Sequence, residues 1–310
     1  MLENSKTGTI AGVHSVVGVP DSTDSYPRRR ISILDTEVSY LSVGEGSPIV
    51  FLHGNPTWSY LWRNIIPYVS DSGRCLAPDL VGMGASDPSP RRTYRFVDHA
   101  RYLDAWFDAL KLTDVTLVLH DWGSALGLYW ARRHPERVRA IAYMEAIVQP
   151  RLWADLPPAR VSLFRDLRSE RGEKMIFDDN AFIEVLLPKL VLRRLGDAEM
   201  NAYRRPFLER ESRLPTLVWS RELPIEGEPA DVVGIVEDYG QWMATSSVPK
   251  LFVAAEPGSL LIGRAREFCR SWPNQEEVSV RGIHFVQEDS PDEIGSALAS
   301  FVRHTQPARS

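Results

Sequence analysis

The sequence contains little cysteine, no long apolar run and no long run of like charge. Cys75 and Cys269 are the only cysteines among 310 residues, and both lie in apolar surroundings. We therefore expect reduced, buried thiols in a reducing compartment. No stretch reaches the roughly 20 apolar residues that a membrane span needs, and the N-terminus lacks the basic flank and apolar run of a signal peptide. These absences predict a cytoplasmic protein with no membrane partner.

The formal net charge of −5 is spread along the chain and gives no reason to expect nucleic acid as a partner. Hydrophobic residues make up 44% of the chain, which suffices for a large core. One α/β domain with a sizeable insertion fits this length as well as two domains do. Residues 1–27 are mixed and polar and predict a loosely ordered leader.

Apolar runs alternate with helical patterns in the first half of the chain and near its end. The runs predict strands at 31–43 (a strand or hairpin), 48–52, 74–79, 115–119, 137–143, 249–255 and 277–280. Helices are predicted at 58–69, at 96–112 and up to 133. A last helix is predicted after Ser290, with Pro291 in its first position and Glu293 completing a capping box. The alternation predicts a mostly parallel sheet flanked by helices, which is the α/β class.

Between residues 147 and 240 the strand pattern disappears. Prolines, charges and aromatic residues are frequent there, and apolar residues recur at helical spacing, as in 181–187. We therefore predict a helical cap at 147–240, inserted into a core domain made of 28–146 and 241–310. In parallel sheets the site lies beyond the carboxyl ends of the strands, so the cap is expected to cover it.

Residues 115–127 predict a strand, a sharp turn and a helix, the arrangement of a nucleophile elbow. The residue at its apex is Asp121, where serine or cysteine is usual. The residues at the ends of this and neighbouring strands are His53, Gly54, Asn55, Asp79, Asp121, Trp122 and Glu145. Because they come from four strands of one sheet, they can converge, and His284 follows the last strand shortly.

An aspartate at the apex restricts the chemistry. A carboxylate that attacks an sp3 carbon forms an ester, and water can cleave that ester at the carbonyl carbon of Asp121. Asp121 is ionised at pH 7, so the first step needs no base. His284 would activate the water in the second step, with Glu145 fixing its tautomer. Alkyl halides or epoxides are therefore favoured as substrates over esters and amides.

The leaving group also needs stabilisation in a dry pocket. Trp122 offers an indole N–H and Asn55 an amide N–H, and these donors suit a halide, which needs no proton. An epoxide would call for acidic hydroxyl donors, usually tyrosines. Taken alone, Asp121 could cap the following helix, tryptophan is most often a core residue, and asparagine is most often a turn residue.

The histidines support no metal site. A cluster of His53, His120 and Asp121 is conceivable, but no ligand spacing supports it. His53 and His120 are expected to be hydrogen-bonded structural groups at strand ends. The remaining histidines lie on stretches expected to be exposed or helical and receive no role: His14, His99, His134 and His304.

Residues 53–57, 79–86, 120–127 and 282–289 resemble the motifs of haloalkane dehalogenases in the α/β-hydrolase superfamily. The likeness extends over nearly all of 40–301 and includes the cap segments 172–188 and 222–229. It implies an α/β-hydrolase fold and a cofactor-independent enzyme without a metal. Its partners would be a halogenated alkane, water and a halide ion, and we expect a monomer or a weak homo-oligomer.

Position by position, the resemblance implies Asp121 as nucleophile, His284 as base, and Asn55 with Trp122 as halide donors. The backbone N–H groups of Asn55 and Trp122 would form the oxyanion hole. In the most similar subfamily the third triad member follows the sixth strand, where Glu145 stands. Another subfamily has an aspartate after the seventh strand, and Glu256 occupies that region here. We favour Glu145.

The sequence departs from the family pattern in places. Leu119 stands where the elbow often has glycine, and Ser220 stands where a proline often lines the halide site. The substrate range is expected to depend on cap and loop side chains, for which the candidates are Phe164, Phe182, Leu187, Leu223 and Leu260.

Two other activities share much of this pattern. A coelenterazine-type luciferase, an oxidoreductase, would carry the same acid, base and nucleophile, but residues 55–57 and 123–127 favour a dehalogenase. An epoxide hydrolase should have an aromatic residue in place of Asn55 and a pair of cap tyrosines. Tyr203 is the only tyrosine in the cap proper, with Tyr239 at its end.

Overall fold

The structure is a computed structural model that describes residues 21–306. Most of the predicted leader and His14 therefore lie outside the described residues. Eight strands form one sheet, and their bounds are β1 Arg28–Ile33, β2 Thr36–Val43, β3 Pro48–Leu52, β4 Arg74–Pro78, β5 Val115–His120, β6 Val138–Ala146, β7 Lys250–Pro257 and β8 Gln275–Gly282. The spatial order is β1-β2-β4-β3-β5-β6-β7-β8.

The sheet is mostly parallel, as predicted. β1 pairs antiparallel with β2, and β2 pairs antiparallel with β4, whereas every other pairing is parallel. The central strand β5 is buried along its whole length. Its continuous apolar run is what a strand covered by helices on both faces requires.

The helices lie both around the sheet and in the segment predicted as a cap. The α-helices are α1 Phe96–Ala109, α2 Asp121–Arg133, α3 Pro158–Arg168, α4 Glu170–Glu173, α5 Leu187–Lys189, α6 Asp197–Arg204, α7 Leu214–Glu222, α8 Ala230–Thr245, α9 Gly263–Arg270, α10 Val286–Asp289 and α11 Pro291–Thr305. Short 3₁₀ helices lie at Ser59–Trp62, Ile66–Tyr68, Pro135–Arg137, Trp153–Asp155, Arg205–Phe207 and Arg210–Arg213, and π-helical turns at Lys174–Asp178 and Phe182–Leu186. Among residues 21–306, no helix combines the length and apolar character needed to cross a membrane.

The segment predicted as a cap is helical and joins the core through α8. This helix contacts α2 of the core, and it runs across position 240, where the cap was predicted to end. The α3, α4 and α7 helices contact one another or the π-helical turn Lys174–Asp178. The division into 28–146, 147–240 and 241–310 stays a prediction.

Three local predictions were wrong. The predicted helix at 58–69 forms two short 3₁₀ helices, because Pro67 has no N–H to continue an α-helical ladder. The α1 helix ends at Ala109 rather than 112, and Lys111 adopts the left-handed conformation that ends helices. Ser290 is the N-cap residue of α11 and Pro291 is its first residue, as predicted, but the predicted capping box does not form, since the hydroxyl of Ser290 donates to the carbonyl of Arg281 at 2.9 Å and makes no cap hydrogen bond. The two cysteines are free and buried, as predicted.

A buried charge network joins the core to the cap close to His284. Arg63 donates to both oxygens of Glu288, at 2.6 and 2.8 Å, and to Glu199 at 3.1 Å. Arg193 also pairs with both carboxylates, and the hydroxyl of Tyr203 donates to Glu288. Glu199, Arg193 and Tyr203 belong to the predicted cap segment, so these pairs tie that segment to the core.

Arg63→Met should destabilise the fold, because it leaves a buried carboxylate without one of its two cations. We expect the free energy of unfolding to fall by about 3 kcal/mol or more, measured by urea unfolding. The control is Arg171→Met, because the Arg171 side chain is 76% exposed in its pair with Asp166. That change should stay within about 0.5 kcal/mol. Equal losses in both variants would contradict a structural role for the network.

Candidate active site

Asp121 lies where β5 ends and α2 begins. Its φ of +49° is in the left-handed region, which is the sharp turn of an elbow. The neighbouring strand end approaches closely: a Cβ at Gly54 would overlap the carboxylate of Asp121, and one at Gly123 would overlap the backbone of Leu52. Glycine at these two positions is therefore what allows β3 and the elbow to meet.

Leu119, where the family often has glycine, is accommodated by a third glycine, Gly127. The Leu119 side chain is fully buried, and its methyl groups occupy the space that a side chain at Gly127 would need. Gly127 lies two turns into α2, so the helix makes room for the larger strand residue. The departure from the pattern therefore leaves the turn intact.

The carboxylate of Asp121 is held by two groups. The backbone N–H of Asn55 donates to Oδ1 at 2.7 Å, and Nε2 of His284 lies 3.5 Å from Oδ2. Burial alone would raise the pKa of Asp121, but the hydrogen bond and charge of His284 outweigh it, and the pKa is lowered. The group is therefore an anion at neutral pH.

Glu145 lies on the other side of the His284 ring. Its Oε2 is 3.2 Å from Nδ1 of His284, and its oxygens also accept the backbone N–H groups of Ser259, Leu260 and Leu261 at 3.2, 2.6 and 3.3 Å. Burial alone would raise the pKa of Glu145, but His284 and the N–H groups of Leu260 and Ser259 outweigh it. The pKa is lowered, so the buried carboxyl is ionised. This arrangement places the proton of a neutral His284 on Nδ1.

The two carboxylates considered from the sequence have different surroundings. Glu145 is fully buried and lies inside β6 rather than just past it, with a φ of +41°. The side chain of Glu256 is 53% exposed and pairs with Arg266 at 2.5 Å. Only Glu145, of these two, contacts His284.

His284 is fixed by its backbone as well as its ring. Its N–H donates to the carbonyl of Leu190 at 3.1 Å, and its carbonyl accepts Nε2 of His120 at 2.8 Å. Burial alone would lower the pKa of His284, but the hydrogen bonds and charges of Asp121 and Glu145 raise it above its ordinary value. The ring is thus held between two carboxylates.

His53 and His120 are structural groups, as predicted. Nε2 of His53 accepts the backbone N–H of Leu80 at 2.9 Å, and its Nδ1 faces the carbonyl of Gly54 at 3.0 Å. Burial lowers the pKa of both histidines, so neither carries charge beside the site.

Asn55 and Trp122 lie on either side of the elbow, and both touch cap helix α7. Nδ2 of Asn55 donates to the carbonyl of Thr216 at 3.3 Å. The indole of Trp122 is 3% exposed and packs on the ring of Trp219 at 4.6 Å. Since Thr216 and Trp219 are three residues apart on α7, one helix face meets both candidate halide donors.

Sequence reasoning missed His99 and Trp219. His99 lies on helix α1, in keeping with the expectation of an exposed or helical stretch, but it is buried and its ring stacks on Trp219 at 4.4 Å. Burial lowers the pKa of His99 to about 3, so the ring is neutral. Its place three residues after Phe96 and four before Leu103 puts it on the buried stripe of α1, and that spacing could have revealed it.

The other predicted cap and loop residues are buried or half-buried. Leu187, Leu223 and Leu260 belong to the main core, whereas Phe182 packs in a smaller cluster with Ile176, and Phe164 touches both clusters. Ser220 is buried, and its hydroxyl donates to the carbonyl of Leu217 at 2.7 Å. A role in substrate selection stays a prediction for these residues.

The cap tyrosines are engaged away from Asp121. The hydroxyl of Tyr203 donates to Glu288, and that of Tyr239 donates to the carbonyl of Ile147 at 2.6 Å. Neither is available as the acidic hydroxyl donor that epoxide opening requires.

Comparisons with known proteins agree with this geometry. Residues 47–291 match the family model of the α/β-hydrolase fold. A haloalkane dehalogenase of Sphingobium indicum is 56% identical over 91% of this chain and 97% of its own length. One from Mycolicibacterium smegmatis is 52% identical over 86% of this chain and 88% of its own length.

Solved structures give the same result. The crystal structure of haloalkane dehalogenase DbeA from Bradyrhizobium elkani superposes with a TM-score of 0.87 at 42% identity, covering 91% of this chain and 99% of that one. DatA from Agrobacterium tumefaciens also gives 0.87, at 38% identity over 92% and 99%. Fold, elbow and sequence agree, and the chain belongs to the haloalkane dehalogenase family of α/β hydrolases.

Proposed function

We propose that the chain hydrolyses haloalkanes to an alcohol, a halide ion and a proton, through a covalent ester on Asp121. The observation that carries the proposal is the row Asp121–His284–Glu145, in which one imidazole lies 3.5 Å from a carboxylate on the elbow and 3.2 Å from a second, buried one. No cofactor takes part in either step.

The first step is displacement at carbon. The N–H of Asn55 holds Oδ1 of Asp121, so Oδ2, which faces Nε2 of His284 at 3.5 Å, attacks the carbon that bears the halogen. The carbon–oxygen bond forms as the carbon–halogen bond breaks, and the halide leaves with the electron pair. The indole N–H of Trp122 and the amide N–H of Asn55 stabilise the departing anion.

The second step is hydrolysis of the ester. Water gives a proton to Nε2 of His284 and attacks the carboxyl carbon of Asp121, while Glu145 stabilises the imidazolium. Oδ1 becomes the oxyanion, next to the backbone N–H groups of Asn55 and Trp122. Collapse breaks the bond between the carboxyl carbon and Oδ2, and the alkoxide leaves as the alcohol with the proton of the newly added hydroxyl group. This restores the carboxylate, and the proton on His284 passes to solvent.

Halide release tests this function. The protein should release bromide from 1,2-dibromoethane and iodide from 1-iodohexane, and it should acidify a weak buffer in proportion. Asp121→Ala should release neither, because the nucleophile is gone. A folded parent that releases no halide from a panel of short bromo- and iodoalkanes would overturn the proposal, and light emission with coelenterazine would favour the luciferase alternative.

We further propose that residues 147–240 form the cap that selects the substrate, with Phe164, Phe182, Leu187, Leu223 and Leu260 among its determinants. The reaction would take place in the cytoplasm, in a monomer or a weak homo-oligomer. The free, buried thiols support a reducing compartment.

A further inference from the structure

Arg151 is a buried cation without a carboxylate partner in the described part of the chain. The residue is 7% exposed, and its guanidinium donates to the carbonyl of Leu260. The nearby carboxylate of Asp155 is 2.6 Å from Arg264 instead. Burial lowers the pKa of Arg151 to about 10, which still leaves it charged at neutral pH. An unpaired buried charge is costly and calls for a reason.

The contact of Arg151 leads directly to Glu145. The carbonyl of Leu260 accepts from Arg151, and the N–H of the same residue donates to Oε2 of Glu145 at 2.6 Å. Ser259 and Leu261 supply the other two N–H groups that hold this carboxylate. Arg151 thus anchors the segment that supplies all three backbone hydrogen bonds of Glu145.

The backbone of Arg151 is itself fixed. Its N–H donates to the carbonyl of Pro224 at 2.9 Å, and its carbonyl accepts the N–H of Glu226 at 2.8 Å. The side chain therefore starts from a rigid position in the segment that leaves β6, and its reach to Leu260 spans 109 residues of sequence.

From these contacts we infer that Arg151 is a positioning residue for the reaction proposed above: it orients Glu145 through Leu260, and its positive charge keeps His284 a working base once Asp121 is esterified. The charges around the imidazole give this cation its effect. In the free protein Asp121 and Glu145 both face it, and neutral His120 lies behind it. Esterification neutralises Asp121, so that Glu145 alone then favours the imidazolium.

The positive charge of Arg151 opposes the effect of Glu145, which favours the imidazolium form of His284. The charged groups that act on Arg151 are Glu145 and Asp155, which favour its cation, and Arg160 and Arg264, which disfavour it. A cation whose charge acts on Glu145 offsets part of the negative charge that holds a proton on His284. Removing the cation should raise the pKa of His284 in the ester. His284 would then become protonated, and unable to accept a proton from water, at a higher pH than in the parent.

The test is the pH dependence of ester hydrolysis in single-turnover experiments with 1-iodohexane. Arg151→Gln keeps an amide donor for Leu260 and removes the charge. The acid limb of its pH–rate profile for ester hydrolysis should therefore move to higher pH by about half a unit or more. Arg151→Lys keeps the charge and should stay within about 0.2 units of the parent.

Arg171→Gln is the matched control, because the Arg171 side chain is 76% exposed, pairs with Asp166 and is not among the groups that act on Arg151. Its limb should coincide with that of the parent. An unmoved limb in Arg151→Gln, or equal shifts in Arg151→Lys and Arg151→Gln, would overturn the inference even if rates fall. A parent that forms no ester on Asp121 would overturn the proposed function instead, so the two failures are distinguishable.

Discussion

Replacing His284 with phenylalanine is expected to stop turnover after one alkylation of Asp121. The carboxylate is ionised without help from a base, because its pKa is held low, so the ester should still form. Water then lacks the group that takes its proton, and hydrolysis should slow by about 10²- to 10⁴-fold. Intact-protein mass spectrometry after 1-iodohexane should show one added alkyl group, and peptide mapping should locate it on Asp121.

The control for this variant is His304→Phe, which changes an exposed histidine near the end of α11. It should turn over at the parental rate and accumulate no adduct. If His284→Phe turned over normally, or if the alkyl group lay on another residue, the roles assigned to Asp121 and His284 would be wrong. An unfolded variant is recognised by its circular dichroism and by the absence of any adduct.

The same pair of residues predicts different pH dependences for the two steps. Alkylation needs only ionised Asp121, so its rate should be flat from about pH 5 to about pH 9. Hydrolysis needs neutral His284, so the rate of hydrolysis should fall as the pH is lowered.

The pKa of His284 is raised in the free protein by Asp121 and Glu145, and esterification removes one of these anions. The acid limb of hydrolysis should therefore lie below the pKa that His284 shows in free protein by NMR titration, and a limb at or above that value would contradict this charge argument.

Much of the site could be predicted because its residues lie at strand ends, where local sequence decides position. An apolar run followed by small residues predicts an elbow, and parallel strands bring their carboxyl ends to one edge. In this way Asp121, Asn55 and Trp122 could be predicted to lie together. Glu145 could be predicted beside them at the end of the next strand, although it lies inside β6 and not past it. The resemblance supplied the roles, and the structure supplied the distances that support them.

What the sequence did not reveal depends on contacts between distant segments. The contact of Arg151 with Leu260 joins a cap residue to the loop after β7, and no local pattern indicates it. The stack of His99 on Trp219 joins α1 to α7, and only the spacing on α1 hinted that His99 is buried. The helix predicted at 58–69 failed for a local reason, since Pro67 interrupts the ladder that the apolar spacing suggested.

Trp122→Phe and Asn55→Ala should each slow alkylation by about 10²- to 10³-fold, since each removes one N–H donor to the departing halide. Both variants keep the backbone N–H groups beside Oδ1 of Asp121. Hydrolysis of a preformed ester should therefore change little, and the loss should appear in the first step. Rapid-quench measurement of ester formation and of its decay separates the two rates.

Trp130→Phe is the matched control for the indole. Trp130 is also buried on α2, its N–H has no partner in the described structure, and it lies eight residues beyond Trp122, about 12 Å along the helix. It should alkylate at the parental rate.

Loss of either donor should slow alkylation by chloroalkanes more than alkylation by iodoalkanes, because chloride is the smaller anion and concentrates its charge. If Trp122→Phe instead slowed hydrolysis and left alkylation intact, the indole would serve the ester and not the halide, and the assignment of the halide pair would have to be abandoned.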